Sequence, residues 1–242
     1  MTQKITHTVA IYPGRFHGFH AGHLDSFKQM QKKFGKKNTY IGLSAKHEPG
    51  SDKWPFSAED RKELLEAMGV DADKILIVKN PNVKTEYLQQ LSVPEDSTLF
   101  VVGVSEKDMD EDPRFRFGKT KAGKETHFQP YSDGIEDDDN HPVKDHSFIF
   151  TTKTVTFDGM KGASEIREKY KEPIDDAERI ALLKKIGYKD ADLKKVKEIF
   201  DRSLLKGDVV KEHLRQMIKS LINEDQEAAK LHLKKYLIQK MN

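Results

Sequence analysis

The 242-residue chain carries 42 lysines and arginines against 40 aspartates and glutamates, a formal net charge of +2, and contains no cysteine. So small an imbalance gives no electrostatic case for nucleic acid or a membrane surface as the main partner. The missing cysteine excludes disulfides, thiolate metal sites and cysteine nucleophiles. No apolar run approaches the roughly 20 residues that span a bilayer, and the start M-T-Q-K-I-T-H lacks the apolar region of a signal peptide, so a soluble cytoplasmic protein is expected.

In chain order, short apolar runs at residues 8–12, 39–45, 74–78 and 98–104 read as strands. Amphipathic stretches at 23–34, 58–68 and 83–91 alternate with them and read as helices. Ser57, with Asp60 three residues on, predicts a cap close to a capping box for the second helix. This alternation implies βαβ units: an α/β fold, Rossmann-like, with a doubly wound parallel sheet and helices on its faces. Residues 105–146 then form a long insertion rich in Asp, Lys, Gly and Pro, read as a loop that is either solvated surface or a cover for a substrate. A strand at 147–157 and a helix at 163–170 complete a first domain, residues 1–172. From 173 to 242 only helical patterns remain, at 175–186, 191–204, 208–221 and 225–241, punctuated by Gly187 and Gly207 as expected C-terminal caps. They are read as an all-helical C-terminal appendage with solvated Lys/Glu faces.

The chemistry concentrates in residues 14–23, G-R-F-H-G-F-H-A-G-H, placed between the first strand and the first helix. A glycine-rich turn at a helix start gathers backbone N–H groups and the positive end of the helix dipole, which suits an anion. His20 and His23 lie three apart and can share one face of that helix. With Arg15 in the turn, the two imidazoles suit a phosphate group that gains charge during transfer. No carboxylate or cysteine in the stretch completes a metal shell, so no metal site is expected there.

These residues resemble the G-R-F-x-P-x-H-x-G-H signature of the nucleotidyltransferase superfamily, the group of nicotinamide mononucleotide adenylyltransferases and cytidylyltransferases. Arg15 and Phe16 are closer to the adenylyltransferase branch, and Gly18 stands where proline is usual. Residues 55–65, P-F-S-A-E-D-R-K-E-L-L, are similar to the helix start after the second strand in adenylyltransferases, with Arg61 at the arginine position. F-V-V-G at 100–103 resembles the strand whose final glycine, here Gly103, abuts the nucleoside. G-A-S-E-I-R at 162–167 resembles the motif in which Ser164 and Arg167 would hold the outer phosphates, with Gly162 replacing a serine.

The resemblance implies a nucleotidyltransferase of the 2.7.7 class that moves AMP from ATP to a phosphorylated acceptor and releases pyrophosphate, with Mg²⁺ bound to the nucleotide. It implies His20, His23 and Arg167 as catalytic residues, and Gly14, Arg15, Phe16, Gly22, Gly103 and Ser164 as nucleotide-binding. Trp54, Arg61, Ser105, Lys107 and Asp108 are placed on the acceptor side; Trp54 and Phe56 border the second loop and could stack on a flat ring. A nicotinamide mononucleotide-like acceptor is favoured by the Arg-Phe form, while a cytidylyltransferase with another acceptor stays open. Residues 217–241 weakly resemble helical modules of tailed-phage virion proteins. That makes the alternative a phage-encoded structural or head-assembly protein, in host cytoplasm or virion, whose C-terminal helices serve for oligomerisation or docking.

Overall fold

The computed structural model describes residues 4–48, 51–111, 117–135, 146–154, 160, 162–172, 174–205, 231 and 233–235. Six strands form one parallel sheet: β1 (His7–Gly14), β2 (Thr39–Ser44), β3 (Ile75–Val78), β4 (Thr98–Ser105), β5 (Phe128–Pro130) and β6 (Ser147–Thr152). Their spatial order is β3-β2-β1-β4-β6-β5. The connection reverses direction between β1 and β4, so the crevice for a ligand in such a sheet lies beyond the C-terminal ends of those two strands.

Both faces of the sheet are covered, which explains why β4 is buried over all but its last residue. Alternate residues of each strand feed different layers. Ala10 and Tyr12 of β1 face a large cluster with Ile41, Leu43, Val101 and Phe148. There they meet Phe27 and Met30 of α1 (Ala21–Phe34) and Leu64 and Leu65 of α2 (Ala58–Ala67). Val9 and Ile11 face the opposite layer, with Phe100, Val102 and Ile149 against Tyr87 and Leu88 of α3 (Lys84–Leu91).

The expected capping box of α2 is complete: Asp60 N donates to Ser57 Oγ at 3.0 Å and Ser57 N to Asp60 Oδ2 at 3.2 Å. The insertion holds more regular structure than its composition suggests. It opens with α4 (Glu106–Glu111) and contributes β5, in register with β6 through Phe128↔Ser147, Gln129↔Phe148 and Pro130↔Ile149. A three-residue strand ending in proline carries little sequence signal, and the sheet edge is where proline is tolerated.

After α5 (Ala163–Lys171) come α6 (Asp176–Lys185) and α7 (Leu193–Phe200), which runs into a π-helical turn (Asp201–Leu205). These helices are built into the main core: Leu183, Ile186, Val196, Ile199 and Phe200 are fully buried in the same cluster as the sheet residues. Gly187 ends α6 at φ 114°, as its predicted capping role requires. The helices expected at 208–221 and 225–241, with Gly207, lie outside the described residues, apart from the helical positions 231 and 233–235.

Two glycines fix how tightly the layers close. A Cβ on Gly42 would lie 2.0 Å from the Tyr87 hydroxyl and 2.8 Å from Ile11 Cγ2. On Gly103 it would lie 2.0 Å from Met30 Sδ, so this glycine is explained by the packing of α1 on β4. Gly42→Ala is expected to lower stability by about 1–3 kcal/mol, read from urea unfolding, with partial recovery when Tyr87→Phe removes the clashing hydroxyl; an unchanged midpoint for Gly42→Ala would contradict this packing.

Candidate active site

The turn after β1 is shaped by two residues with positive φ. Phe16, at φ 50°, folds its ring back over Gly14, where a Cβ would lie 2.5 Å from the ring. Gly18, at φ 113°, donates its N–H to Phe16 O at 2.9 Å and packs against Ala163 at the start of α5. Proline could adopt neither that φ nor that hydrogen bond, so Gly18 is required by the shape this turn takes.

His20 caps α1. Its Nδ1 accepts from His23 N at 3.4 Å, which leaves the ring hydrogen on Nε2 in the neutral form. The two imidazoles stack with centroids 3.7 Å apart. His23 also stacks on Phe19 at 5.5 Å and meets the edge of Phe16 at 5.4 Å. Burial pushes His20 down to about 2, with His23 adding to the effect, and burial pushes His23 down to about 4. Both rings are therefore neutral at pH 7. The helix start offers fewer open amides than its glycines suggest: Ala21 N donates to Ile186 O, His23 N to His20 Nδ1 and Leu24 N to His20 O. Gly22, buried, is the remaining residue of that first turn.

Two arginines hold the turn from within. Arg61 is fully buried and gives Nη1 to Arg15 O (2.6 Å), Nη2 to Lys46 O (3.1 Å) and Nε to Ser57 O (3.0 Å). Desolvation lowers its guanidinium to about 10. Arg167 gives Nη1 to His17 O, Nε to Asp52 O at 3.1 Å and Nη2 to Ser164 Oγ at 3.3 Å. The two expected halves of the site, residues 14–23 and 162–167, are thus brought into contact. Arg61, expected on the acceptor side, instead braces backbone.

The other expected residues divide. Arg15 is exposed and lies over Trp54 with its Cζ 4.8 Å from the ring centroid, alongside the ammonium groups of Lys46 at 3.8 Å and Lys53 at 5.2 Å. The Trp54 ring is therefore surrounded by cations. Phe56 is fully buried against His17 and Phe200 and is a core residue, not a stacking platform. Ser105 Oγ donates to Asp108 Oδ2 at 2.8 Å at the start of α4, and Lys107 is exposed beside them. Asp108 reaches the field of Tyr12, whose hydroxyl is pushed up to about 12 chiefly by burial. Gly103 lies within β4 against Met30 and owes its identity to that contact.

His17 was not singled out by sequence, because it stands outside the His20/His23 spacing. It is buried, accepts from Phe56 N at 3.3 Å through Nδ1, and is pushed down to about 3 by burial, then by Arg61 and Arg167. Among the described residues no group of three or more His, Asp or Glu side chains could hold a metal ion, and no helix is long and apolar enough to cross a membrane.

A doubly wound parallel sheet with a histidine-bearing turn at its switch point defines a Rossmann-like α/β protein. Residues 11–123 match the cytidylyltransferase-like family model. It is 31% identical over 77 residues to a nicotinamide-nucleotide adenylyltransferase of Saccharolobus solfataricus, covering 30% of this chain and 44% of that one. Similar solved structures include a bifunctional NMN adenylyltransferase/ADP ribose pyrophosphatase of Francisella tularensis complexed with AMP and a Mn ion (16% identity, 88% of this chain and 56% of that one, TM-score 0.44). Another is a nicotinic acid mononucleotide adenylyltransferase of Plasmodium falciparum complexed with APC (11% identity, 82% and 99%, TM-score 0.46). The chain spans less than half the length of the Saccharolobus relative.

The three low histidine values have a thermodynamic consequence. Unfolded histidine titrates near about 6.5, so between pH 7 and pH 4 the unfolded chain binds protons that the folded chain refuses, and stability falls as pH falls. Urea unfolding is expected to show proton uptake at pH 5 approaching one each for His17, His20 and His23. His17→Asn, whose side-chain oxygen can accept the Phe56 N–H without titrating, should reduce that uptake by about one proton; an unchanged pH slope in the variant would show that His17 is not held neutral.

Proposed function

We propose that the chain transfers AMP from ATP to a phosphorylated acceptor of the nicotinamide mononucleotide kind, with release of pyrophosphate. The observation that carries the reading is the stacked His20–His23 pair at the strand-to-helix turn over the switch point of the sheet. The likeness to a nicotinamide-nucleotide adenylyltransferase supports ATP rather than CTP as the donor.

A phosphate oxygen of the acceptor attacks the α-phosphorus of ATP in line, the bond to the bridging oxygen breaks, and pyrophosphate leaves with the electron pair. No covalent bond to the protein is needed, so the chain acts by positioning and by stabilising charge. His20, which caps α1 through Nδ1, carries its ring hydrogen on Nε2, a donor of the kind a phosphate oxygen accepts from, and His23 is held against it by the Phe19 and Phe16 rings. These donors are oriented before substrate arrives, which is what makes them more effective in the transition state than water. Arg15, Lys46 and Lys53 gather positive charge at the mouth and draw the acceptor phosphate. Mg²⁺ would arrive with ATP as part of the substrate and would supply neutralising charge on the leaving phosphates.

The test is pyrophosphate release with Mg²⁺, ATP or CTP, and a panel of mononucleotide, sugar-phosphate and phosphopantetheine acceptors. Release is expected with ATP and the nicotinamide mononucleotide class, and His23→Ala is expected to lower kcat by a hundredfold or more, about 3 kcal/mol, in a folded protein. Wild-type release in that variant sinks the assignment. Because burial holds both rings below their ordinary range, kcat/KM should show no acid limb near pH 6.5 from them. A limb there that disappears in His23→Ala would show that the ring titrates near its ordinary value and is not held neutral by burial.

A further inference from the structure

The connection between α6 and α7 sits directly on the histidine turn. Ile186 O accepts from Ala21 N at 2.9 Å, and the Tyr188 hydroxyl donates to Phe19 O at 3.2 Å. These two partners are the residues on either side of His20. The Phe19 carbonyl belongs to the peptide that enters His20 and the Ala21 amide to the peptide that leaves it, so both planes that set the His20 backbone are tied to one corner. Tyr188 is 4% exposed, and a hydroxyl so buried needs its acceptor. Gly187 brings the corner this close: a Cβ there would lie 3.2 Å from Ala21 Cβ and 3.0 Å from Met68 Cε, at a φ of 114° that other residues rarely adopt. Phe19 in turn carries the ring on which His23 stacks.

The same C-terminal segment braces a second point. Arg202 bonds Asp60, and Ser203 Oγ donates to Asp60 at 3.4 Å. Asp60 caps α2 next to Arg61, whose guanidinium holds Arg15 O. Helices that look like an appendage in sequence therefore reach the turn through two independent contacts.

We propose that the corner of Ile186, Gly187 and Tyr188 is a positioning element of the site, with Tyr188 orienting His20 and, through Phe19, His23. Competence of the turn then depends on docking of the C-terminal helices. Removal of the hydroxyl frees the Phe19–His20 peptide to rotate while the aromatic ring stays in the core. His20 loses its aim before the fold loses its stability. A misplacement of this kind costs turnover more than binding, because the ground state tolerates it better than the transition state does.

The kinetic arm rests on the proposed adenylyl transfer, and the structural arm does not. The experiment compares Tyr188→Phe with Tyr170→Phe, which deletes a buried hydroxyl bonded to Asp201 in the same helical segment but not to the turn. Each protein is examined by urea unfolding, by NMR of the His20 and His23 ring nitrogens, and by kcat and KM for ATP. For Tyr188→Phe the ring signals of both histidines should move and kcat should fall about tenfold with KM changed less than about twofold. Tyr170→Phe should lose stability with ring signals and kcat unmoved. Unmoved ring signals in Tyr188→Phe, a wild-type kcat, or the same changes in Tyr170→Phe overturn the proposal. If the wild type turns over no acceptor, the functional reading fails and the ring signals alone decide the positioning role. Should Tyr188→Phe not fold, Arg202→Gln, at an exposed position of the second brace, should give smaller shifts in the same direction, and none would overturn it.

Discussion

The site depends on a pair of buried guanidinium groups that hold the carbonyls of one turn. Arg61 binds Arg15 O and Arg167 binds His17 O. The turn between them places Phe16 and Gly18 at positive φ, and the Phe16 conformation alone is of a kind that costs about 1–3 kcal/mol. The local bond from Gly18 N to Phe16 O does not by itself fix the Arg15 and His17 carbonyls. Planar guanidinium groups with several donors can, because each one also ties in a second loop: Lys46 and Ser57 for Arg61, Asp52 for Arg167. A lysine in either place could not make three bonds in fixed directions. With the carbonyls drawn inward, the turn is free to present imidazoles to the crevice.

Burial does the second part of the work. His20 and His23 are stacked on each other and on aromatic rings, and the loss of water keeps both neutral at pH 7. Two cationic rings 3.7 Å apart would repel; two neutral ones pack. Positive charge is gathered elsewhere, on Arg15, Lys46 and Lys53 around Trp54, where solvent can support it. In the proposed transfer, attraction and transition-state stabilisation would then fall to different residues. This division accounts for how a surface rich in cations and a desolvated pair of histidines occupy one site.

Much of this was legible in the sequence where the signal is local. The short apolar runs and intervening helices give the parallel sheet, and Ser57 with Asp60 gives the cap of α2. The glycine-histidine stretch gives the turn. What was not legible depends on contacts between residues far apart in the chain. Arg61 reads as a ligand-binding arginine because sequence cannot show that three carbonyls converge on it. The strand Phe128–Pro130 is hidden by its length and its proline. His17 is invisible as a site residue until Phe56 and Arg167 are folded around it. The C-terminal helices show amphipathic faces but not their destination, and Tyr188 meets Phe19 across 169 positions.

The packing of α6 and α7 into the main core makes the turn, the sheet and the C-terminal helices one cooperative structure through Leu205. A nucleotide held at the turn would therefore stabilise all of it by mass action. The central claim is the direction of transfer, and it is tested most directly with ATP labelled either at the α- or at the γ-phosphate, incubated with Mg²⁺, nicotinamide mononucleotide and the protein. Adenylyl transfer places the α-label in a dinucleotide product and the γ-label in pyrophosphate. Label from the γ-position in the acceptor product, or no α-label beyond free ATP, would contradict the account.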